Sequence, residues 1–155
     1  QRILEIGTYT GYSALCLAEG LSPEGKLYTI DINEELEPLV AGYFQESPYA
    51  DQLIHLVGNA IEIIPGIDEQ FDLVFIDADK VNYLSYYEMV MKKMRSGGFI
   101  IADNILWSGK VVSTPKSNDK DTQALIEFNN RVHDDERVEN VLMAVRDGLM
   151  ILRVI

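Results

Sequence analysis

The stretch from Arg2 to Leu15, RILEIGTYTGYSAL, constrains the fold more than any other part of the chain. A short apolar run at Ile3, Leu4 and Ile6 ends at Gly7, and a glycine turn runs on to Gly11. Small and apolar residues at Ala14, Leu15, Ala18 and Leu21 then take up helical spacing. The pattern predicts a strand, a glycine loop and a helix. In an α/β domain such a turn lies at the carboxyl end of a parallel strand, where glycines let a ligand approach the backbone and the helix amino end offers free N–H groups. A cofactor is therefore expected at this turn, although glycine turns after strands are also common as purely structural features.

The residues around the turn narrow the choice of cofactor. A dinucleotide fingerprint, G-x-G-x-x-G, needs a middle glycine against the pyrophosphate, whereas this chain reads Gly7-Thr8-Tyr9-Thr10-Gly11 with bulky Tyr9 and Tyr12 in the region. Glu5 stands inside the strand, two residues before Gly7. A carboxylate there repels a pyrophosphate and suits a ligand carrying an amino group and a sulfonium. S-adenosylmethionine fits better than NAD.

With 155 residues the chain is expected to form one domain with a sizeable core. No apolar run approaches the roughly 20 residues of a membrane span, and nothing at the start resembles a signal peptide, so no membrane partner is expected and the chain reads as cytoplasmic. The net charge of −12 disfavours broad binding to nucleic acid or anionic lipid. The single cysteine, Cys16, excludes an internal disulfide and is expected to be a small buried hydrophobe. The first strand begins almost at residue 1, although a strand of this type should be central in the sheet. An amino-terminal segment is therefore expected to precede it.

Further along, Ser22-Pro23-Glu24-Gly25 predicts a turn and Lys26 to Asp31, KLYTID, a second strand ending in an acid. An acid about 20 residues beyond the glycine turn typically holds ribose hydroxyls, which makes Asp31 the candidate and places the next residue, Ile32, at the cofactor. Its competing role is to start the next helix, whose Pro38 shifts the regular part to about Glu37 through Glu46. Leu53 to Val57 predicts a third strand, with the backbone of Asn59 and Ala60 beyond it facing the adenine. His55, in mid-strand, reads as structural. Phe71 to Ile76, FDLVFI, is an apolar run suited to a strand covered on both faces, and it ends in Asp77-Ala78-Asp79-Lys80. A helix is expected from about Val81 to Met94 with Leu84, Tyr87, Met91 and Met94 on its core stripe. Ser96-Gly97-Gly98 should break it before a short strand, Phe99 to Ala102, that ends in Asp103-Asn104.

Strands alternating with helices predict a doubly wound, Rossmann-like α/β sheet. Asp77 and Asp103 then stand at neighbouring strand ends, and with the amide oxygen of Asn104 they form a hard oxygen set suited to Mg²⁺, Mn²⁺ or Ca²⁺. The alternative is that both acids merely cap turns.

With Asp103-Asn104-Ile105-Leu106-Trp107-Ser108-Gly109-Lys110-Val111-Val112 in view, the chain resembles the cation-dependent O-methyltransferases, the family of caffeoyl-CoA and catechol O-methyltransferases. LEIGTYTGYSAL, TIDIN, FIDADKVNYLSYYE, GGFIIADNILWSGKVV and Asp147-Gly148-Leu149 carry the resemblance along essentially the whole chain. It implies a seven-stranded, mostly parallel sheet with an antiparallel last strand. The tail agrees, with a helix from about Asp121 to His133 and a hairpin-like pair, Val138 to Val145 and Leu149 to Val154. The resemblance further implies that Glu5, Gly7, Tyr9 and Ser13 surround the methionine part of S-adenosylmethionine, and that Asp31 holds the ribose and Ala60 lies by the adenine. Asp77, Asp103 and Asn104 would bind the divalent ion, Lys80 would act as base or electrostatic helper, and Trp107 would border the acceptor. Homodimers are common in the family. Its members usually carry amino-terminal helices ahead of the first strand, and Arg146 stands where many relatives have a different residue.

The chemistry these residues suit is attack of an ionised hydroxyl on the sulfonium methyl, with two neighbouring hydroxyls of a small aromatic acceptor chelated by the ion. Tyr83 and Tyr86, with Trp107, make an aromatic acceptor plausible. The alternatives are a hydroxylated base in tRNA as acceptor, a non-catalytic cofactor-binding module, and a dehydrogenase, the last disfavoured by the missing middle glycine.

Overall fold

The computed structural model describes all 155 residues. Seven strands form one sheet in the order β3-β2-β1-β4-β5-β7-β6. These are β1 (Arg2–Ile6), β2 (Lys26–Asp31), β3 (Leu53–Val57), β4 (Phe71–Ile76), β5 (Met94–Asp103), β6 (Val138–Met143) and β7 (Leu149–Val154). The first five run parallel. β7 is antiparallel to both β5 and β6, as the tail pattern leads one to expect, and lies between them, so that β6 forms the edge.

Five helices connect the strands: α1 (Tyr12–Ala18), α2 (Glu37–Glu46), α3 (Ala60–Ile63), α4 (Tyr83–Met91) and α5 (Lys120–His133). Their starts follow from local chemistry. Asn33 accepts from the Glu35 N–H in the turn ahead of α2, Pro38 sits in the first turn of α2, Asn59 accepts from Ile61 and Asp119 from Thr122. The larger core cluster, 24 buried residues, lies between the sheet and α3, α4 and α5. A smaller one of Ile3, Ala14, Leu27, Val40 and Phe44 lies under α1 and α2. His55 packs edge-on against Phe44 with ring centres 6.0 Å apart, and burial holds its pKa below the ordinary value.

Four local expectations are corrected. The helix expected over Val81 to Met94 is a 3₁₀ turn at Lys80–Asn82 followed by α4, and Met94 already opens β5. Gly97, in the left-handed region, and the register shift between Phe71 and Leu73 mark an irregularity inside that strand. The buried residues of α4 are Tyr83, Tyr86, Tyr87 and Val90, while Leu84 and Met91 are half-buried. Cys16 is exposed, because α1 is only 7 residues long and turns Ala14 and Ala18 inward. The first tail strand stops at Met143, where Val145 N–H turns back to the Met143 carbonyl.

Candidate active site

In the strand order, β1 and β4 are neighbours whose following connections lead to opposite sides of the sheet, towards β2 and β5. A crevice opens at the carboxyl ends of strands at such a switch point. Here a cavity of about 790 Å³ is lined by Gly7, Tyr9, Ser13, Asp31, Ile32 and Ala60, and by Asp77 and Asp103 on its other side. Glu5, Gly11, Lys80, Asn104 and Trp107 are not on its wall.

The two glycines are required by the protein's own packing. A Cβ on Gly7, whose φ is +107°, would lie 2.2 Å from the Asp77 carbonyl oxygen, so glycine lets the loop cross the end of β4. A Cβ on Gly11 would meet the Phe44 ring at 2.7 Å. Tyr9, also left-handed, is held by its N–H to Asp31 Oδ2 at 2.6 Å, and its side chain stands at the mouth, 71% exposed. Ile32 is likewise exposed there.

Beneath this loop Glu5 is fully buried. Its Oε2 accepts from the Thr29 hydroxyl, which is paired in turn with Thr8, while Oε1 has no hydrogen-bond partner. Burial pushes its pKa up to about 7; Thr29 opposes the shift, and so does the Ser13 hydroxyl, which lies nearby without completing a hydrogen bond. A buried carboxylate with a free oxygen, beneath a cavity wall formed by Gly7 and Ser13, has the chemistry to receive a cationic group. Asp31 Oδ1 accepts from Asn33 N–H at 2.9 Å. Each oxygen thus takes one backbone N–H and keeps lone-pair capacity for a ligand hydroxyl.

On the opposite wall β4 and β5 pair in parallel with Ile76 beside Ala102, which brings Asp77 and Asp103 to adjacent strand ends. Lys80 Nζ donates to Asp77 Oδ1 at 3.1 Å and Asn104 Oδ1 at 3.2 Å, so oxygens from two of the three candidate ligands already face one cation. Asp103 is raised above its ordinary value, chiefly by burial and further by the Asp77 charge, with the Asn104 N–H and the Lys80 charge acting against that rise. No three His, Cys, Asp or Glu side chains gather anywhere to form a metal site. The hard oxygens of Asp77, Asp103 and Asn104 are of the type that suits a hard ion with coordination positions left for water or substrate. Lys80 is only 7% exposed, so it is a buried member of this corner and not a surface lysine.

Asn104 adopts φ +59°, and the turn after it places Trp107 and Ser108 in the left-handed region as well. The tail hairpin holds this turn: Ile105 and Leu106 N–H donate to the Gly148 and Asp147 carbonyls, and Ser108 N–H to the Asp147 carboxylate. The Lys80 and Lys110 ammonium groups lie 5.9 and 5.6 Å from the Trp107 ring centre. Arg146 has φ +54° in that hairpin, and nothing in the structure explains the arginine itself.

Sequence reasoning named Tyr86 as an aromatic near the acceptor but missed the wall it forms with Asp79 and Asn82. Asp79, Asn82 and Tyr86 line the cavity together, with the Tyr86 hydroxyl on Asp79 Oδ1 and the Asn82 amide on Oδ2, both at 2.6 Å. Their i, i+3, i+7 spacing was the available signal. Tyr83, by contrast, is completely buried and is not on the cavity wall, so it does not reach an acceptor held there.

A mostly parallel seven-stranded sheet with this switch-point cleft defines a Rossmann-like methyltransferase fold. The chain belongs to the O-methyltransferase family, whose model matches residues 1–155. It is 35% identical over 160 residues to caffeoyl-CoA O-methyltransferase 1 of Eucalyptus globulus, covering 97% of this chain and 65% of that protein. It is 32% identical to tricin synthase 1 of Oryza sativa subsp. japonica, over 99% of this chain and 66% of the relative. The chain thus spans just under two thirds of these relatives. Among solved structures it resembles the Bacillus cereus O-methyltransferase in complex with SAH, with a TM-score of 0.94 and 32% identity over 99% of this chain and 74% of that one. The O-methyltransferase TomG of Streptomyces achromogenes, in complex with SAM, gives 0.93 and 31% over 99% and 72%.

Proposed function

We propose that this chain is the cofactor-binding and catalytic domain of an S-adenosylmethionine-dependent, divalent-cation-dependent O-methyltransferase acting on a small vicinal-dihydroxy aromatic acceptor. The observation that carries this reading is a pair of complementary acidic sites on either side of one cavity, with Asp77 and Asp103 on its wall and Glu5 and Asn104 behind it. Buried Glu5 offers an unpartnered oxygen on the β1 side, and Asp77, Asp103 and Asn104 offer hard oxygens on the β4–β5 side. Relatives named as caffeoyl-CoA O-methyltransferases and neighbours solved with SAM or SAH support it.

In this reading Glu5 and Ser13 take the amino-acid end of the cofactor beside Gly7 and Tyr9, Asp31 takes the ribose hydroxyls, and Ile32 and Ala60 flank the adenine. The acceptor oxygen forms a bond to the methyl carbon as the carbon–sulfur bond breaks, its electron pair remaining on sulfur, after the acceptor hydroxyl has lost its proton. Asp77, Asp103 and Asn104 would hold the ion, which when bound would lower the pKa of the acceptor hydroxyl. The Lys80 ammonium, whose N–H groups reach Asp77, Tyr83 and Asn104, steadies the ionised acceptor through its charge and not through a free N–H. It takes the proton only after losing one of its own. Trp107, on the loop beyond Asn104, borders the acceptor. Homodimerisation belongs to the same proposal and is read by sedimentation.

The test is methyl transfer from S-adenosylmethionine to catechol by the full-length protein, with Mg²⁺, with a chelator, and in Asp103→Ala. The expected result is turnover that the chelator abolishes and that Asp103→Ala lowers by at least ~100-fold, with cofactor binding retained. Turnover unaffected by chelator and substitution removes the metal role. Incorporation into bulk tRNA in place of catechol moves the acceptor to RNA, and tight cofactor binding with no transfer to either makes the chain a binding module.

A further inference from the structure

We infer that Tyr83 is a positioning residue for Lys80: its buried hydroxyl fixes the ammonium at the corner shared by Asp77 and Asn104 and ties it to the end of β5. The inference rests on the methyl-transfer reading for its consequence, but its geometry stands apart from it.

Tyr83 is fully buried in the first turn of α4, its ring edge-on to Phe128 of α5 with centres 5.6 Å apart. Packing alone would be satisfied by a phenyl ring. The hydroxyl instead has three partners: Lys80 Nζ at 2.5 Å, the Asp103 carbonyl at 2.9 Å and the Ile76 carbonyl at 3.3 Å. An ammonium has no lone pair, so Lys80 must donate and the phenol oxygen must accept. The single phenol proton then goes to a carbonyl, and Asp103 offers the shorter contact. The hydrogen bonds therefore run in one direction, from Lys80 through Tyr83 to the backbone of Asp103.

Both carbonyls lie at the ends of the strands that carry the acids, Ile76 just before Asp77 and Asp103 itself. The hydroxyl is thus located from β4 and β5 at once, and Lys80 is located from the hydroxyl. The other two partners of Lys80, Asp77 at 3.1 Å and Asn104 at 3.2 Å, are the side chains proposed to hold the ion. Tyr83 is the one partner outside that set. When Asp77 and Asn104 turn their oxygens to another cation, the phenol is what keeps the ammonium beside the acceptor.

The experiment compares wild type, Tyr83→Phe, Lys80→Met and the double variant in the full-length protein, with two independent readouts. The first is the labelling rate of each lysine by an amine-acetylating reagent, resolved by peptide mass spectrometry. Lys80 should react about fivefold faster in Tyr83→Phe with the other lysines unchanged. An unchanged Lys80 rate in a folded variant overturns the inference whether or not the protein methylates catechol. The second readout is kinetic: kcat for catechol methylation should fall about tenfold in Tyr83→Phe with KM for S-adenosylmethionine unchanged. Adding Tyr83→Phe to Lys80→Met should cause no further loss. Additive losses, or a loss confined to KM, overturn the positioning role in favour of general packing. A wild type without methyl transfer overturns the functional reading, while the labelling result still decides whether Tyr83 holds Lys80.

Discussion

Glu5 and Asp135 are both buried carboxylates in this small domain, and their surroundings push them in opposite directions. Asp135, between α5 and β6, takes bonds from the Arg137 guanidinium and backbone N–H, the Tyr87 hydroxyl at 2.9 Å and Arg131 at 3.0 Å. The hydrogen-bonded Arg137 holds its carboxyl well below the usual range. Glu5 has hydroxyl neighbours and no cation, one oxygen has no partner, and burial lifts it to about 7. The first acid is complete and its job is to bind α4, α5 and β6 together. The second keeps one oxygen without a partner beneath the cavity wall, where the cationic end of the proposed cofactor would complete it. An uncompensated buried charge is costly, so where one persists beside a cavity, the missing partner points to the ligand.

Glu5→Gln is the substitution that separates the two most strongly. A raised carboxyl pKa means that stability is fully present below the unfolded value of about 4.5 and is lost as pH rises towards about 7. The wild-type protein free of cofactor should therefore lose about 2–3 kcal/mol across that window, and Glu5→Gln, which cannot ionise, should stay flat and be the more stable form at pH 8. Cofactor affinity should move the other way, weakening roughly 30-fold, or about 2 kcal/mol, with the charge-assisted bond lost. Denaturant titrations over pH and calorimetric cofactor titrations measure both. A variant with unchanged affinity would show that Glu5 is a buried structural acid like Asp135.

What could be read in advance follows the reach of the interactions concerned. The bounds of β2, β3, β4 and β7 were legible because each apolar run has polar or turn-forming residues at its ends, and Asp31, Asp77 and Asp103 were legible because the alternation of strands and helices sets them on one rim. The end of α4 was not, because Met91 and Met94 continue the helical apolar spacing into residues that β4 recruits as a strand. Cys16 was misread because a helix's inner face depends on what covers it. Burial of Lys80 and Tyr83 depends on hydrogen bonds to Asn104 and Asp103, 24 and 20 residues away, and no local pattern encodes them. The unpartnered oxygen of Glu5 is equally a property of the assembled sheet.

A smaller effect sharpens the comparison from the other side. Asp135→Asn should cost about 2 kcal/mol at neutral pH, a loss moderated because Arg131 and Arg137 retain Glu88 as a partner. The sign with pH is opposite to that of Glu5: a depressed carboxyl pKa contributes stability above the unfolded value, lost as pH falls through the folded one. The variant should therefore lack the steep acid limb of the wild-type stability curve, with cofactor affinity unchanged. A large fall in affinity would mean that the ion cluster governs the cleft and that the division between the two acids is wrong.

The smallest change is Tyr87→Phe, which removes one donor to Asp135 and leaves both arginines in place. The ring still packs edge-on against Phe128, so no cavity forms. A loss of about 1 kcal/mol is expected in chemical denaturation, the ordinary worth of a buried hydrogen bond whose acceptor keeps other partners. A loss as large as that of Asp135→Asn would identify the hydroxyl, and not the guanidinium groups, as what completes this acid. The contrast with Glu5, a carboxylate served by hydroxyls and lacking a cation, would then rest on how many donors each acid has and not on their charge.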